Sequence, residues 1–311
     1  MDRGCDMPMS DHVDRYVALK RGLGYSFADQ EQVLRKYAAF AGSHGDEFTH
    51  AARMIEWAAK ASSPQRSSEW FRVARNFAIS MHAEDDRHEI PPRDIFGKGK
   101  RRRPPPHNNA ASDIERIMRA ALTLPPVASL TPYTYYYLIG LLAAAGLRVS
   151  EATALLQTDL TVDGLVIRET KFHKTRLVPI EQSTRKALEA YLSLRRRIGG
   201  DDPHLFVLST GTPPDRTSVT RAFIQLARRI GLRGAAGERG PRLHNLRHSF
   251  AVRSLARCGN DRAAVDRHML ALSTYLGHAS LSDTYWYLEA TPVLVRQIAE
   301  KAEAFREGGA P

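Results

Sequence analysis

The sequence of 311 residues has two cysteines, Cys5 and Cys258, far apart along the chain. That excludes a disulfide framework and leaves no cysteine spacing for zinc, and it fits a reducing compartment. No apolar run approaches the ~20 residues needed to span a bilayer. The opening Met1-Asp2-Arg3-Gly4-Cys5-Asp6 offers no apolar segment of a secretory signal, so the expectation is a cytoplasmic, bacterial-type protein. Acidic residues are in deficit as well: 34 Asp and Glu stand against 45 Lys and Arg, a net charge of +11. No acidic cluster suggests a pair of magnesium ions, the usual metal route for phosphoryl chemistry. A basic surface attracts polyanions, and nucleic acid is the commonest of these in a cytoplasm. What is present, 43% hydrophobic and 25% charged residues, is the composition of globular domains rather than of a disordered chain. The length suffices for two domains, each with its own core.

Residues 8–90 predict a helical module. Val13, Tyr16 and Val17 recur at helical spacing before Gly22 and Gly24. Ser26 is a candidate N-cap for a second helix whose apolar face is Val33, Leu34, Tyr37 and Phe40, and Thr49 one for a third carrying Met54, Ile55 and Ala58. Ser63-Pro64 opens a fourth, with Trp70, Val73, Ala74, Phe77 and Met81 on one side. Composition then shifts over 91–111, where Pro91-Pro92, the run from Lys98 and Lys100 through Arg101, Arg102 and Arg103, and Pro104-Pro105-Pro106 predict an extended basic linker. A tether of this kind can cross a DNA backbone and close two modules around a duplex.

A second domain is expected over 112–311. Ile114, Ile117, Met118 and Ala121 are in helical register; Thr131-Pro132 is read as the cap of an apolar helix with Leu138, Leu141, Leu142 and Ala145, ended by Gly146. Asp163-Gly164 signals a type I′ hairpin turn before Leu165-Val166-Ile167, and Leu177-Val178-Pro179-Ile180 reads as a second strand. Residues 171–176 then fall in a polar loop between strands. Helices are predicted over 183–194, 217–230, 246–258 and about 292–305, with a short strand over 205–208. The fold class is therefore mainly α with a small antiparallel β-hairpin or sheet in the C-terminal domain.

Three clusters need one account: Arg148 with Glu151, Lys171 in the hairpin, and His244-Asn245-Leu246-Arg247-His248. Guanidinium groups clamp phosphates because the planar fork donates two hydrogen bonds and stays charged. Two arginines arriving from distant segments would neutralise charge building on a pentacoordinate phosphorus. His244 and His248 have the i, i+4 spacing of a helical zinc pair, but Asn245 stands where a zincin has Glu and Arg247 adds a cation, so a metal site is not expected.

The segments Ala-Gly-Leu-Arg148-Val-Ser-Glu151-Ala, Lys171 to Arg176 leading into Leu-Val-Pro-Ile, His244-Asn-Leu-Arg247-His-Ser-Phe-Ala, and Leu-Gly-His278 with Tyr287 resemble, in order and spacing, the tyrosine recombinase family of phage integrases and Xer-type recombinases. The resemblance covers about residues 140–290. It implies a helical core-binding domain plus an α+β catalytic domain, and a site-specific recombinase acting through a 3′-phosphotyrosyl intermediate without metal, ATP or other cofactor. Arg148 and Arg247 match the arginine clamp, with Glu151 supporting the first. His244 and His278 match the two histidines, and Tyr287, nine residues beyond His278, the nucleophile. Lys171 matches the hairpin lysine, with Lys174 as the alternative; Lys174 and Arg176 are otherwise expected on DNA. The aromatic run from Tyr285 to Tyr287 looks more like the recombinases of mobile elements, and Tyr285 is read as packing.

The family's partners, double-stranded DNA and a tetrameric synapse of this chain or of related recombinases, are implied likewise, with helix 292–305 as the element that docks on a neighbour. Two rival readings stay open: a type IB topoisomerase, which would relax plasmids lacking a specific site, and a non-catalytic DNA-binding regulator, which would form no covalent adduct.

Overall fold

The computed structural model describes residues 7–97, 109–170, 174–198, 200–235, 238, 240–257, 262–277, 284 and 287. The chain divides into two compact units, Met1–Arg103 and Pro104–Pro311. Among the described residues no helix is long and apolar enough to cross a membrane.

The first unit packs helices α1 (Met9–Gly22), α2 (Ala28–Gly42), α3 (Ala51–Ala59) and α4 (Pro64–His82) around a core that includes Val13, Leu34, Tyr37, Met54, Trp57, Phe77 and Met81. The apolar spacing gives the helices correctly; two caps differ. Phe27, in the left-handed conformation, precedes α2 with no side-chain cap, so Ser26 does not serve. Thr49 is wholly buried, and its N–H donates to His88 Nδ1 and its hydroxyl to the Glu89 carbonyl. The start of α3 is satisfied from downstream instead, by Glu89 Oε2 accepting from the Ala51 N–H at 2.7 Å. Ser63 caps α4 as expected. The first part of the expected linker packs on this unit: Phe96 lies against Phe71 at 5.1 Å, and Arg75 donates to the Pro91 carbonyl. The basic run 98–103 lies outside the described residues.

The second unit begins with Asn109, whose N–H donates to Ser249 Oγ. Helices α5 (Ala111–Ala121) and α6 (Leu130–Ala145) follow, the latter preceded by Ser129 rather than capped by Thr131, and ended by Gly146 in the left-handed conformation. After the short α7 (Val149–Thr153) come β1 (Leu160–Thr161), β2 (Gly164–Thr170) and β3 (Lys174–Val178), a three-stranded antiparallel sheet in sequence order. Thr161 pairs with Gly164, so the turn sits on Val162-Asp163, one residue earlier than the Asp-Gly signal suggests. Gly164 is instead the first strand residue, and it must be glycine because a Cβ there would lie 2.3 Å from the Val178 carbonyl oxygen. Lys174 and Arg176 belong to β3 rather than to a loop.

Helices α8 (Gln182–Ile198), α9 (Arg216–Arg229), α10 (Leu243–Ala256) and α11 (Arg262–Leu276) complete the described part. Helix α11 has no counterpart among the elements expected from the sequence, and helix 292–305 lies outside the described residues. Residues 205–208 form no strand. Their backbone finds separate partners instead of a ladder: the Leu205 N–H donates to the Leu155 carbonyl and the Leu208 N–H to the Thr212 carbonyl, while the Val207 N–H donates to the Tyr191 hydroxyl and its carbonyl accepts from Thr134 Oγ1 at 2.6 Å; Leu205, Phe206 and Val207 are fully buried. Helix α10 starts three residues earlier than predicted, because the Asn245 side chain accepts from the Arg242 N–H at 2.6 Å and fixes the first turn. That brings His244 and Arg247 onto one rigid helix.

Candidate active site

Helix α11 ends at Leu276 with Gly277 in the left-handed conformation at φ +66°. The last carbonyls of a helix have no partner within it and form the negative end of its dipole. Here three successive carbonyls each receive one guanidinium: Tyr275 from Arg176 Nε at 2.9 Å, Leu276 from Arg247 Nη2 at 2.6 Å, and Gly277 from Arg148 Nη2 at 2.8 Å. The arginines come from β3, α10 and the residue preceding α7, so three distant segments meet at one helix end.

Glu151 joins them. Its carboxylate is nearly buried, accepts the Arg148 N–H (2.9 Å) and Arg148 Nη1 (2.7 Å), and faces Arg176 fork to fork, with Nη1 at 3.1 Å and Nη2 at 2.9 Å. Burial pushes the Glu151 carboxyl up; the hydrogen bonds and charges of Arg176 and Arg148 outweigh it and hold the group below its ordinary range. Arg247, 2% exposed, also donates from Nη1 to the Gly146 carbonyl at 2.8 Å and so bridges the ends of α6 and α11. Burial, then the charge of Arg148, brings its pKa down to about 10, with Tyr287 and Glu151 opposing. It is still a cation at neutral pH. One carboxylate thus pairs with two of the three guanidinium groups, and the surplus charge is positive.

Around this knot the His244 and His248 rings meet edge to face at 4.4 Å, and His248 lies 5.4 Å from the Tyr287 ring. Tyr287 is 3% exposed, packed with Leu255, Met269, Leu272 and Leu276, and close enough to Arg247 to act on its charge. Of the residues singled out from sequence, Arg148, Glu151, His244, Arg247 and Tyr287 are brought together. Lys171, His278 and Tyr285 lie outside the described residues, as do Lys98, Lys100, Arg101, Arg102 and Arg103; for Lys174 only the strand backbone is described.

Arg176, expected on DNA, has its donors taken up by Glu151 and Tyr275. The signal for this was available in strand alternation: Arg176 shares a face with Val178, which is fully buried, whereas Leu177 between them is 48% exposed. Arg176 is therefore the inward residue of that strand. The part played by the carbonyls of residues 275–277 leaves no mark in side-chain identity.

Replacing Glu151 with Gln should lower the unfolding free energy near neutral pH by about 3 kcal/mol, the scale for removing one partner of a buried ion pair. A depressed carboxyl stabilises the fold above the unfolded value of ~4.3 and loses that contribution as pH falls through the folded value. The gap between wild type and variant in calorimetric or denaturant unfolding should therefore be full at neutral pH and close on acidification. Equal stability at neutral pH would contradict this reading of Glu151.

The model of the phage integrase family matches residues 109–292. A Sinorhizobium fredii protein bearing the integrase/recombinase name y4rB is 38% identical over 302 residues, covering 94% of this chain and 96% of its own. The tyrosine recombinase XerD of Brucella suis is 32% identical over 271 residues, 83% of each chain. Among solved structures, the Tn1549 transposon integrase in complex with transposon right end DNA superposes with a TM-score of 0.63 at 16% identity, covering 95% of this chain and 99% of that one, a likeness of fold. Matched by the family's model over more than half its length and by an integrase/recombinase relative almost end to end, this chain belongs to the phage integrase family, the tyrosine recombinases.

Proposed function

We propose that the protein is a site-specific DNA recombinase that cleaves and rejoins strands through a 3′-phosphotyrosyl link, with Tyr287 as nucleophile, in the movement of a mobile element. The observation that supports this reading best is the convergence of Arg148 and Arg247, two cations from distant segments, on the helix end that leads towards Tyr287. A phenol with an ordinary pKa near ~10 is neutral at pH 7. To attack phosphorus, Tyr287 therefore needs cations beside the phosphate and a group to take its proton. Arg148 and Arg247 supply the first, and His244 the second.

Attack by the Tyr287 oxygen forms the phosphotyrosyl bond and breaks the bond to the 5′ oxygen of the next nucleotide. Lys171 donates a proton to that leaving oxygen. The reverse step, with a 5′-hydroxyl of a partner strand, restores a phosphodiester. The bond energy is conserved in the link, so neither ATP nor metal is required. Tyr287 at 3% exposure cannot reach a duplex phosphate from its present position, so engagement of DNA has to bring the segment carrying it outwards. The helical first unit and the basic run 98–103 would add contacts to the DNA, and a tetramer of this chain, or of this chain with related recombinases, would join two sites in the bacterial cytoplasm, at the nucleoid.

Two experiments test the chemistry, both on a nicked duplex taken from DNA that the protein occupies in its host. Tyr287→Phe should form no denaturant-stable adduct; an adduct at the wild-type yield would remove Tyr287 as nucleophile. Lys171→Ala should cleave at least ~100-fold more slowly, within the usual range for a lost general acid. It should recover on a substrate with a 5′-bridging sulfur, whose leaving group needs no proton. Failure to recover would remove the general-acid role and favour Lys174.

A further inference from the structure

Arg148 and Arg247 are the arginines that the proposed chemistry uses, and Arg176 is the third at the same helix end. Its position differs in one respect. Arg247 donates to neutral carbonyls, and Arg148 shares Glu151 through one guanidinium nitrogen while remaining 34% exposed. Arg176 instead meets the Glu151 carboxylate with both terminal nitrogens and is 13% exposed. The fork-to-fork pairing matches its charge to that of Glu151. Its remaining bond, from Nε to the Tyr275 carbonyl, ties β3 to the last turn of α11.

Space around the group is closed as well. A Cβ on Gly277 would lie 2.9 Å from Arg176 Nη1 and 3.1 Å from Cζ, so the guanidinium lies directly against the peptide that precedes His278.

Resting on the recombinase reading above, we propose that Arg176 is a positioning residue for strand cleavage. It clamps Glu151 from the side opposite Arg148 and fixes the end of α11, and so sets the Arg148 guanidinium and the start of the Tyr287 segment in one register. Without it, Glu151 keeps only Arg148 and can turn with it, and the Tyr275 carbonyl is left without its donor. Lys could replace the charge but not the fork or the third bond. This assigns to Arg176 a role distinct from the DNA contact that its place beside the hairpin suggests.

The test uses the full chain and the nicked duplex on which wild type forms its adduct. For Arg176→Gln we expect a DNA Kd within about twofold of wild type and an unchanged salt slope, since a side chain that neutralises one phosphate would take about 0.9 from that slope on removal. The single-turnover cleavage rate at saturating DNA should fall at least ~tenfold, the scale of a small misplacement at a reacting centre. Its acid limb should move to higher pH as Glu151 loses the partner that keeps it ionised. Arg176→Lys should lie between the two, and it carries the comparison if the Gln variant does not fold.

Weaker binding with a reduced salt slope and intact cleavage at saturation would make Arg176 a DNA contact and overturn the proposal. So would a slower rate with an unmoved acid limb, which marks a structural brace, or no change at all. Absence of any adduct with wild type would instead count against the recombinase reading.

Discussion

Everything around the candidate active site depends on how the C-terminal end of α11 is held. A helix end with unpartnered carbonyls is a concentration of negative partial charge, and here it is met by three guanidinium groups on three successive residues. This arrangement gives Arg148 and Arg247 an electronegative partner and keeps two like charges close together. Its cost is visible in the lowered pKa of Arg247, which burial and Arg148 both oppose as a cation. Glu151 offsets part of that cost, and it holds its own charge because Arg176 and Arg148 pair with it.

The same interactions connect the site to the fold. Arg247 can reach two helix ends because Asn245 fixes the first turn of α10 and Gly146 ends α6 at the right place. Arg148 reaches Gly277 because it stands at the start of α7, where the Glu151 carboxylate accepts its backbone N–H. Tyr287 then packs on the side of α10 and α11, within the influence of Arg247 and beside His248. Tyr287 itself is buried there, at 3% exposure.

Much of this was legible in the sequence, for identifiable reasons. Helices of the first unit follow from apolar spacing such as Leu34 with Tyr37 and Phe77 with Met81, where burial dictates the pattern. Arg148, Glu151, His244, Arg247 and Tyr287, singled out from motifs far apart in the sequence, are brought together around the end of α11. Errors arose where a partner comes from far along the chain. Thr49 looks like a cap, yet the cap of α3 is Glu89. Residues 205–208 look like a strand because they are apolar, yet Leu155, Tyr191, Thr134 and Thr212, from separate segments, are the hydrogen-bond partners of their backbone. Arg176 looks like a loop cation, yet it lies in β3 on the same face as buried Val178 and points towards Glu151.

The most direct test of the central claim, that strand cleavage passes through Tyr287, is to locate the covalent link itself. Trypsin digestion of the trapped protein–DNA adduct, trimmed to a short nucleotide, should place the added mass on peptide 268–296, which contains Tyr275, Tyr285 and Tyr287. Fragmentation should assign it to Tyr287. Mass on Tyr275, on Tyr285 or on any residue outside that peptide would contradict the account.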